Sequence, residues 1–480
     1  MRHMSTRESE ERQRNYRFTT QLKTAVYSDP KTAERRKIVA RLLMGEWAEK
    51  LDEVGDELKI RFRGGTGYAP KENFGNDRTL EIYFIDVGQG DAILVQTPDD
   101  KRILIDGGKN EGAHSFLKWK YHLKKYSKIF EAVILTHGDE DHLKGLIEIL
   151  NDEKVLVKSV YHNGIALRSG RSLGNVSQDG EYLVELYDDV EDLRVKYDQL
   201  SPLYRNWVDA VNNARKRAEK YNQQPESERA ERIDFKCCRA DQETEKLSIG
   251  GPNGLQVIFV GPINYGSRNS PKLKVFSKDA GKTINGNSVA VLLQYKKARV
   301  LLCGDMNADS TRPFLERHGG EALRANVFKA NHHGSQDFAT DFLDAVKPWV
   351  SVVSSGDFPD YGHPRAVLLG CLGRYAPSHV QQPLVFSTEL AAAFKPLSAS
   401  RISELDKPKE KLESMSKKDT GVHLYEKTMH GMINIRTDGK WLSAGRVYGK
   451  ETGPEGRPVY QWEAYAFDLD SGEIKDEIPR

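Results

Sequence analysis

The chain predicts a layered α/β fold, and two observations carry that reading. Short apolar runs bounded by turn residues alternate with segments of helical spacing. Several of the apolar runs also end directly in loops of His, Asp, Asn and Gly, so the chemistry sits where strands stop.

Taken in order, residues 5–60 are rich in charge, and Ile38, Leu42, Leu43, Trp47 and Leu51 fall at helical spacing. They predict a small helical N-terminal region, within residues 1–77, that docks an apolar stripe. The Gly-rich Arg63-Gly-Gly-Thr-Gly67 opens a connector that ends near Asn76. From Leu80 the texture changes. Leu80 to Asp86, Ala92 to Gln96 and Arg102 to Asp106 read as strands, separated by Gly88-Gln-Gly90 and Pro98-Asp-Asp100. Lys118 to Ile129 reads as a basic amphipathic helix, Ala132 to Thr136 as a short buried strand, and the stretch through Leu150 as a helix.

Residues 165–250 are polar, carry the charged runs Arg215 to Lys220 and Gln223 to Arg232, and predict a helical insertion between two halves of the core. Strands resume at Gln256 to Val260, Ser288 to Leu293 and Arg299 to Leu302, followed by units carrying Asn326 to Ala330 and Trp349 to Ser354. Residues 398–420 read as a mobile Ser/Lys/Glu-rich loop. Met432 to Gly439 and Val459 to Asp468 read as closing strands, the last of them within a C-terminal segment at 446–480. The main domain is expected over residues 78–445.

Composition bounds the function classes. The formal charge of +2, from 72 basic and 70 acidic side chains, neither demands nor excludes a nucleic-acid partner. Four cysteines, Cys237, Cys238, Cys303 and Cys371, form no CxxC pair and suit a reducing, cytoplasmic setting. No apolar run approaches the roughly 18 residues of a membrane span, and no signal-peptide pattern opens the chain.

The strongest chemical signal is His137-Gly-Asp139-Glu-Asp141-His142, directly after a buried strand. His137 and Asp139 are spaced to face one ion, and Asp141 and His142 a neighbouring one. So many acids and imidazoles within six residues repel one another unless cations neutralise them. Asp305 follows the apolar run Val300 to Cys303, where a carboxylate can bridge two ions, although Gly-Asp at a strand end is also an ordinary turn. Asn331-His332-His333-Gly334-Ser335 follows another strand. One of the two histidines is a candidate ligand, and Ser335 or its backbone a candidate anion contact. Tyr361-Gly-His363-Pro364 follows a third strand. Asp106 is a candidate acceptor that orients a ligand histidine, or the start of an Asx turn. Asn287 and Ser288, in Asn285-Gly-Asn287-Ser288, are candidates to bind substrate or a ligand, and His162 is an outlying candidate.

Read together, Phe84-Ile-Asp-Val-Gly-Gln-Gly-Asp-Ala92, Leu104-Ile-Asp-Gly-Gly108, Thr136-His-Gly-Asp-Glu-Asp-His142, Asn287-Ser288, Gly304-Asp305, His332-His-Gly-Ser335 and Tyr361-Gly-His-Pro364 form one ordered series. The series resembles the soluble metallo-β-lactamase-like domain of the bacterial competence protein ComEC, over roughly residues 80–390 less the insertion. Thr437-Asp-Gly439 resembles that domain's closing segment. The resemblance implies an αββα sandwich with a two-metal site at one edge between the sheets. It implies His137, Asp139, Asp141, His142, Asp305 and one of His332 and His333 as ligands, with His363 as a further ligand or a proton donor. It also implies hydrolysis of phosphodiesters in DNA. Where the wider superfamily usually has a histidine, this chain has Asp139. That adds hard oxygen and admits manganese or magnesium beside zinc. No histidine stands where the superfamily's middle ligand falls, and Asn287 or Ser288 occupies that neighbourhood. The channel part of the competence protein has no counterpart, so DNA uptake does not carry over.

The expected mechanism is in-line attack on phosphorus by a hydroxide held between two ions, oriented by Asp141 or Asp305. His363 would protonate the leaving oxygen. Lys118, Lys120, Lys124, Lys125, Arg268, Lys272 and Lys274 are expected to guide a DNA backbone, or to be solvated surface charge. Two other readings stand beside this one: hydrolysis of a small phosphoester or carboxylic ester, and a catalytically inactive binding scaffold. The insertion and the N-terminal region suggest a regulatory protein partner or a gate over the site.

Overall fold

The computed structural model describes residues 15–251, 253–356, 362–380, 382–389, 431–452, 456 and 458–475. The 398–420 segment read as a mobile loop lies outside the described residues, as does Tyr361.

Two sheets face each other. The first has ten strands in the order Lys236–Arg239, Val155–His162, Lys128–Ile134, Arg102–Ile105, Ile93–Gln96, Leu80–Phe84, Ile433–Thr437, Trp441–Thr452, Pro458–Asp468 and Ile474–Lys475. The second has seven, in the order Leu247–Ile249, Leu255–Gly261, Ala290–Tyr295, Ala298–Leu302, Val327–Lys329, Val350–Val353 and Leu384–Ser387. The closing strands expected at the C-terminus are therefore integral to the first sheet. Its strands alternate by the period of two. Ile103 and Ile105 pack into the layer between the sheets, while Leu104 between them packs against helices. Val291 and Leu293 face the inter-sheet layer in the same way, and Ala290 and Leu292 face the helices of the other side. The result is the αββα sandwich, with helices Gly112–Tyr121, Glu140–Asn151 and Pro202–Asn222 on one flank. Ala308–His318, Thr340–Val346 and Ala366–Arg374 cover the other.

Three boundaries differ from the expectation, each for a physical reason. Residues 16–75 are not helical but form a separate seven-stranded antiparallel sheet around Val26, Ala40, Leu42, Ala48, Leu58, Ile60, Phe62 and Ala69. The stripe from Ile38 to Leu51 crosses a turn at Gly45, whose φ of 77° suits glycine. It therefore joins strands Ile38–Leu43 and Trp47–Val54 rather than lining one helix. Glu57 to Phe62 alternates buried and half-buried positions, and the Gly-rich connector is the hairpin between this strand and Gly65–Pro70. The basic helix begins and ends earlier than expected, at Gly112–Tyr121, with His122 at φ 52° reversing the chain before the strand from Lys128. The insertion is helical in Val190–Gln199 and Pro202–Asn222, which Ser201 caps by accepting from the Tyr204 N–H. Its last part, however, supplies edge strands to both sheets.

What positions the site is a backbone contact. Gly145, in the helix Glu140–Asn151, donates its N–H to Gly108 O at 2.9 Å, and Gly107 donates to His142 O at 2.8 Å. A Cβ on Gly145 would lie 1.9 Å from Gly107 O. Gly145→Ala is expected to destabilise the fold by about 1–3 kcal/mol or more through forced backbone shifts. Gly370→Ala, in an exposed helix position with nothing within 4 Å, should stabilise by about 0.5–1 kcal/mol. Urea-unfolding midpoints check both signs.

Candidate metal centre

The C-terminal ends of the parallel strands converge at one edge of the sandwich. Strand Arg102–Ile105 delivers Asp106, Lys128–Ile134 delivers the Thr136 to His142 loop, and from the second sheet Ala298–Leu302 delivers Asp305. Val327–Lys329 leads into the His332-His333 turn. Asp139 is the N-cap of the helix Glu140–Asn151 without a capping hydrogen bond from its side chain, so its carboxylate is not spent on the helix end. His332 and His333 both have left-handed backbones, at φ 47° and 52°. Two consecutive non-glycine residues in that region are held there by their surroundings at a cost in strain. The turn sends His333 into the interior and leaves His332 half-buried.

His142 Nε2 lies 3.3 Å from Asp305 Oδ2 and 3.3 Å from His333 Nε2. His333 Nε2 is 3.0 Å from Asp305 Oδ2 and 3.4 Å from Asp141 Oδ2. The His137 ring packs 4.1 Å from that of His142, and its Nε2 is 3.8 Å from Asp139 Oδ2. Each ring is anchored through its other nitrogen. His142 Nδ1 donates to Asp106 Oδ2 at 2.8 Å, and His333 Nδ1 donates to Ser354 O at 2.9 Å. His137 Nδ1 sits 3.0 Å from Thr136 Oγ1 and 3.4 Å from Ser288 Oγ. Anchored in this way, His142 and His333 turn Nε2 towards each other and Asp305, and His137 turns Nε2 towards Asp139.

Burial works against charge on the two central rings, yet the carboxylates of Asp305 and Asp106 raise His142 well above the usual histidine range. Asp305 and Asp141 likewise carry His333 up to about 10. Burial opposes ionisation of Asp305 too, and His333, His142 and Lys329 together hold it well below the carboxylate range. Burial and Asp141 push Asp139 up to about 6, while burial and His142 hold His137 well below its usual value. The cluster thus balances buried anions with protons on imidazole, the positions from which a divalent cation displaces protons. Atoms of Asp91, His142, Asp305 and His333 all lie within 4.8 Å of one another. The Nε2 atoms of His142 and His333 converge with Asp305 and Asp141, and His137 Nε2 lies beside Asp139, a donor set whose chemistry fits divalent ions.

The other candidates fall around this cluster. Asp106, fully buried, accepts from the Thr136 N–H and hydroxyl as well as from His142. Ser288 Oγ accepts the Asp305 N–H at 3.2 Å. Asn287 turns its amide to the carbonyls of Lys274 and Thr283, which holds its own loop instead of facing the cluster. Its neighbour Asn285 is the closer group, since its amide nitrogen can donate to Asp139 Oδ2 at 3.1 Å. Ser335 Oγ accepts the Asp337 N–H. The His363 ring meets that of His332 edge to face at 5.7 Å. Burial with His332 and His333 pushes it down to about 4, so it is neutral at neutral pH and not a ready cationic acid.

Outside the cluster, His162 stacks on Tyr187 and accepts the Gly164 N–H, as a structural histidine does. Lys120 is not on a solvated face: it is half-buried over the Tyr83 ring and donates to Tyr83 Oη at 2.8 Å. Lys274 pairs with Glu181 at 2.8 Å. The sequence reasoning passed over Asp91 and Lys329, a buried ion pair beside Asp305. A lone lysine within the apolar run Val327 to Ala330 was the available signal.

Residues 85–200 match the family described as the metallo-beta-lactamase superfamily. With the layered fold and the converging donors, that match marks residues 85–200 as similar to the metallo-β-lactamase superfamily, beside a donor cluster that could hold a metal ion. Among curated proteins it is similar to Recombination protein 2 of Haemophilus influenzae, 23% identical over 300 residues. The match covers 62% of this chain and 27% of that protein's length. Among solved structures it is similar to Tm1679, a metal-dependent hydrolase of the beta-lactamase superfamily, at 13% identity and a TM-score of 0.32, covering 64% of this chain and 95% of that one. It is also similar to unliganded yeast PDE1, at 13% identity and a TM-score of 0.31, covering 75% and 100%. No helix among the described residues is long and apolar enough to cross a membrane.

Because Asp106 fixes the His142 ring, Asp106→Asn is expected to weaken metal binding about 10–100-fold. Chelator competition measures this, and circular dichroism checks that the fold persists. Wild-type affinity in the variant would remove Asp106 from the account.

Proposed function

We propose that this chain is a metal-dependent hydrolase that cleaves phosphodiester bonds in DNA, with divalent ions held by His137, Asp139, Asp141, His142, Asp305 and His333. The observation that carries the reading is the convergence of two anchored imidazole nitrogens, of His142 and His333, with carboxylate oxygens at the joined strand ends. Substrate class is supported by the ordered motif series resembling the ComEC domain and by the similarity to Recombination protein 2. That relative's other activities are not carried over, since the match spans about a quarter of its length.

When bound, the ions supply Lewis acidity at a phosphoryl oxygen. The chain's own residues then divide the remaining work. Asp106, Thr136 and Ser288 hold the ligand rings and the Asp305 backbone in place. Asn285 directs a donor at Asp139. His332, half-buried beside His333, and His363, beside His332, are the imidazoles placed to meet a substrate oxygen. As a neutral ring, His363 positions rather than protonates. The carboxylate-rich donor set favours manganese or magnesium as readily as zinc. Lys118, Lys124, Lys125, Arg268 and Lys272 remain as charges for a DNA backbone, without Lys120.

The test is cleavage of plasmid and single-stranded DNA, beside a panel of small phosphoesters and carboxylic esters, with zinc, manganese or magnesium. Wild type should cut DNA only with added metal, and Asp141→Ala should lose at least about 100-fold in rate. Turnover of a small ester with no cleavage of DNA would overturn the substrate assignment. Metal-loaded protein inert on the whole panel would favour a binding scaffold.

A further inference from the structure

Lys329 is fully buried, in a strand whose neighbours Val327, Phe328 and Ala330 are apolar. Its ammonium contacts Asp91 Oδ2, donates to Gly304 O at 3.1 Å and lies 3.5 Å from Asp305 Oδ1. The opposite oxygen, Asp305 Oδ2, is the one that faces His142 Nε2 and His333 Nε2. Asp305 is therefore divided: one oxygen towards a permanent cation, the other towards the ligand nitrogens. Asp91 is fixed independently of Lys329. Its N–H donates to Asp141 O at 3.2 Å, and the preceding Gly90, at φ 117°, lies where a Cβ would come within 2.0 Å of that same carbonyl. Asp91 Oδ1 is buried without a hydrogen-bond partner among the described residues, 3.6 Å from His333 Nδ1.

A buried ion pair of this kind is a poor device for stability, because well-packed apolar residues do as well or better in its place. Its location supplies the reason for it. We infer that Lys329, held by Asp91, is a positioning residue that grips Asp305 Oδ1 and so presents Oδ2 to the metal centre. The pair also sets how much negative charge the centre offers. Lys329 cancels part of the anionic field of Asp305, and Asp91 in turn limits how far Lys329 does so. The inference rests on the reading of Asp305 as a ligand.

The experiment uses the full chain and zinc, with affinity measured by competition against a chromophoric chelator and coordination followed by the visible absorption of the cobalt-loaded protein. Lys329→Met alone would strand a buried Asp91 and endanger folding, so the informative variants are the neutral pair Asp91→Asn/Lys329→Met and Asp91→Asn alone. The neutral pair should unfold cooperatively, bind zinc about 10–100-fold more weakly and show an altered cobalt spectrum. Asp91→Asn, which leaves the whole Lys329 charge on Asp305, should bind more weakly still. Wild-type zinc affinity and an unchanged cobalt spectrum in both variants, with only stability altered, would overturn the inference and reduce the pair to a structural contact. Asp305→Asn is the separate check: if it keeps wild-type affinity and spectrum, the ligand role of Asp305 falls, and this inference falls with it.

Discussion

The site depends on one buried carboxylate. Asp106 ends a strand of the first sheet at a left-handed φ of 57°, and it accepts three hydrogen bonds, from the Thr136 N–H, the Thr136 hydroxyl and His142 Nδ1. Through Thr136 it fixes where the next strand stops, and through His142 it fixes a ring on the following helix. The glycines after it let that helix lie directly on the turn, backbone against backbone. A side chain at Gly107 or Gly145 would force the two apart and take the His142 ring with it. Local strain at Asp106 is thus tied to the placement of a functional ring, as strained positions in well-packed surroundings often are.

The second constraint is charge. Asp91, Asp106, Asp139, Asp141 and Asp305 are drawn together at a largely buried edge, with Lys329 as the one lysine the ion pairs bring into contact with them among the described residues. Carboxylates cannot all ionise in such company unless cations answer them. Without a metal, the answer is protonated His142 and His333. The same nitrogens that carry these protons are the donors a divalent ion uses, so metal binding and proton release are two states of one balance.

Much of this was legible in the residue pattern, and the failures have particular causes. Short apolar runs located eleven of the seventeen strands of the two sheets, because a strand buried on both faces reads as such a run, whereas Val155–His162, Leu384–Ser387, Trp441–Thr452 and Ile474–Lys475 were not foreseen. The N-terminal sheet was missed because Ile38, Leu42, Leu43, Trp47 and Leu51 satisfy a helical stripe while two strands share them across Gly45. The edge strands Lys236–Arg239 and Leu247–Ile249 are too short and polar to stand out from the insertion. Spacing could not choose between His332 and His333, since the choice is made by two left-handed residues in a row. Lys120 read as surface charge because helical spacing cannot foresee that the Tyr83 ring and Glu81 enclose it. Lys329 escaped because a lysine inside an apolar strand shows no partner in the sequence, and Asp91, within the Phe84 to Ala92 motif, was not foreseen as that partner.

The division of donors between sheets has a mechanical consequence. His137, Asp139, Asp141 and His142 ride on the first sheet and its helix, whereas Asp305 and His333 come from the second. An ion held by both groups would join the two sheets across the layer that Ile105, Ile134, Leu302 and Val352 fill with apolar side chains. Packing in that layer fixes the spacing of the two halves of the site to within what side-chain rotation can absorb, because close-packed interiors transmit displacement instead of damping it. The sandwich core and the metal centre are accordingly one unit. Apolar burial brings the two strand ends together, and the buried charges so confined need a cation or protons to remain there.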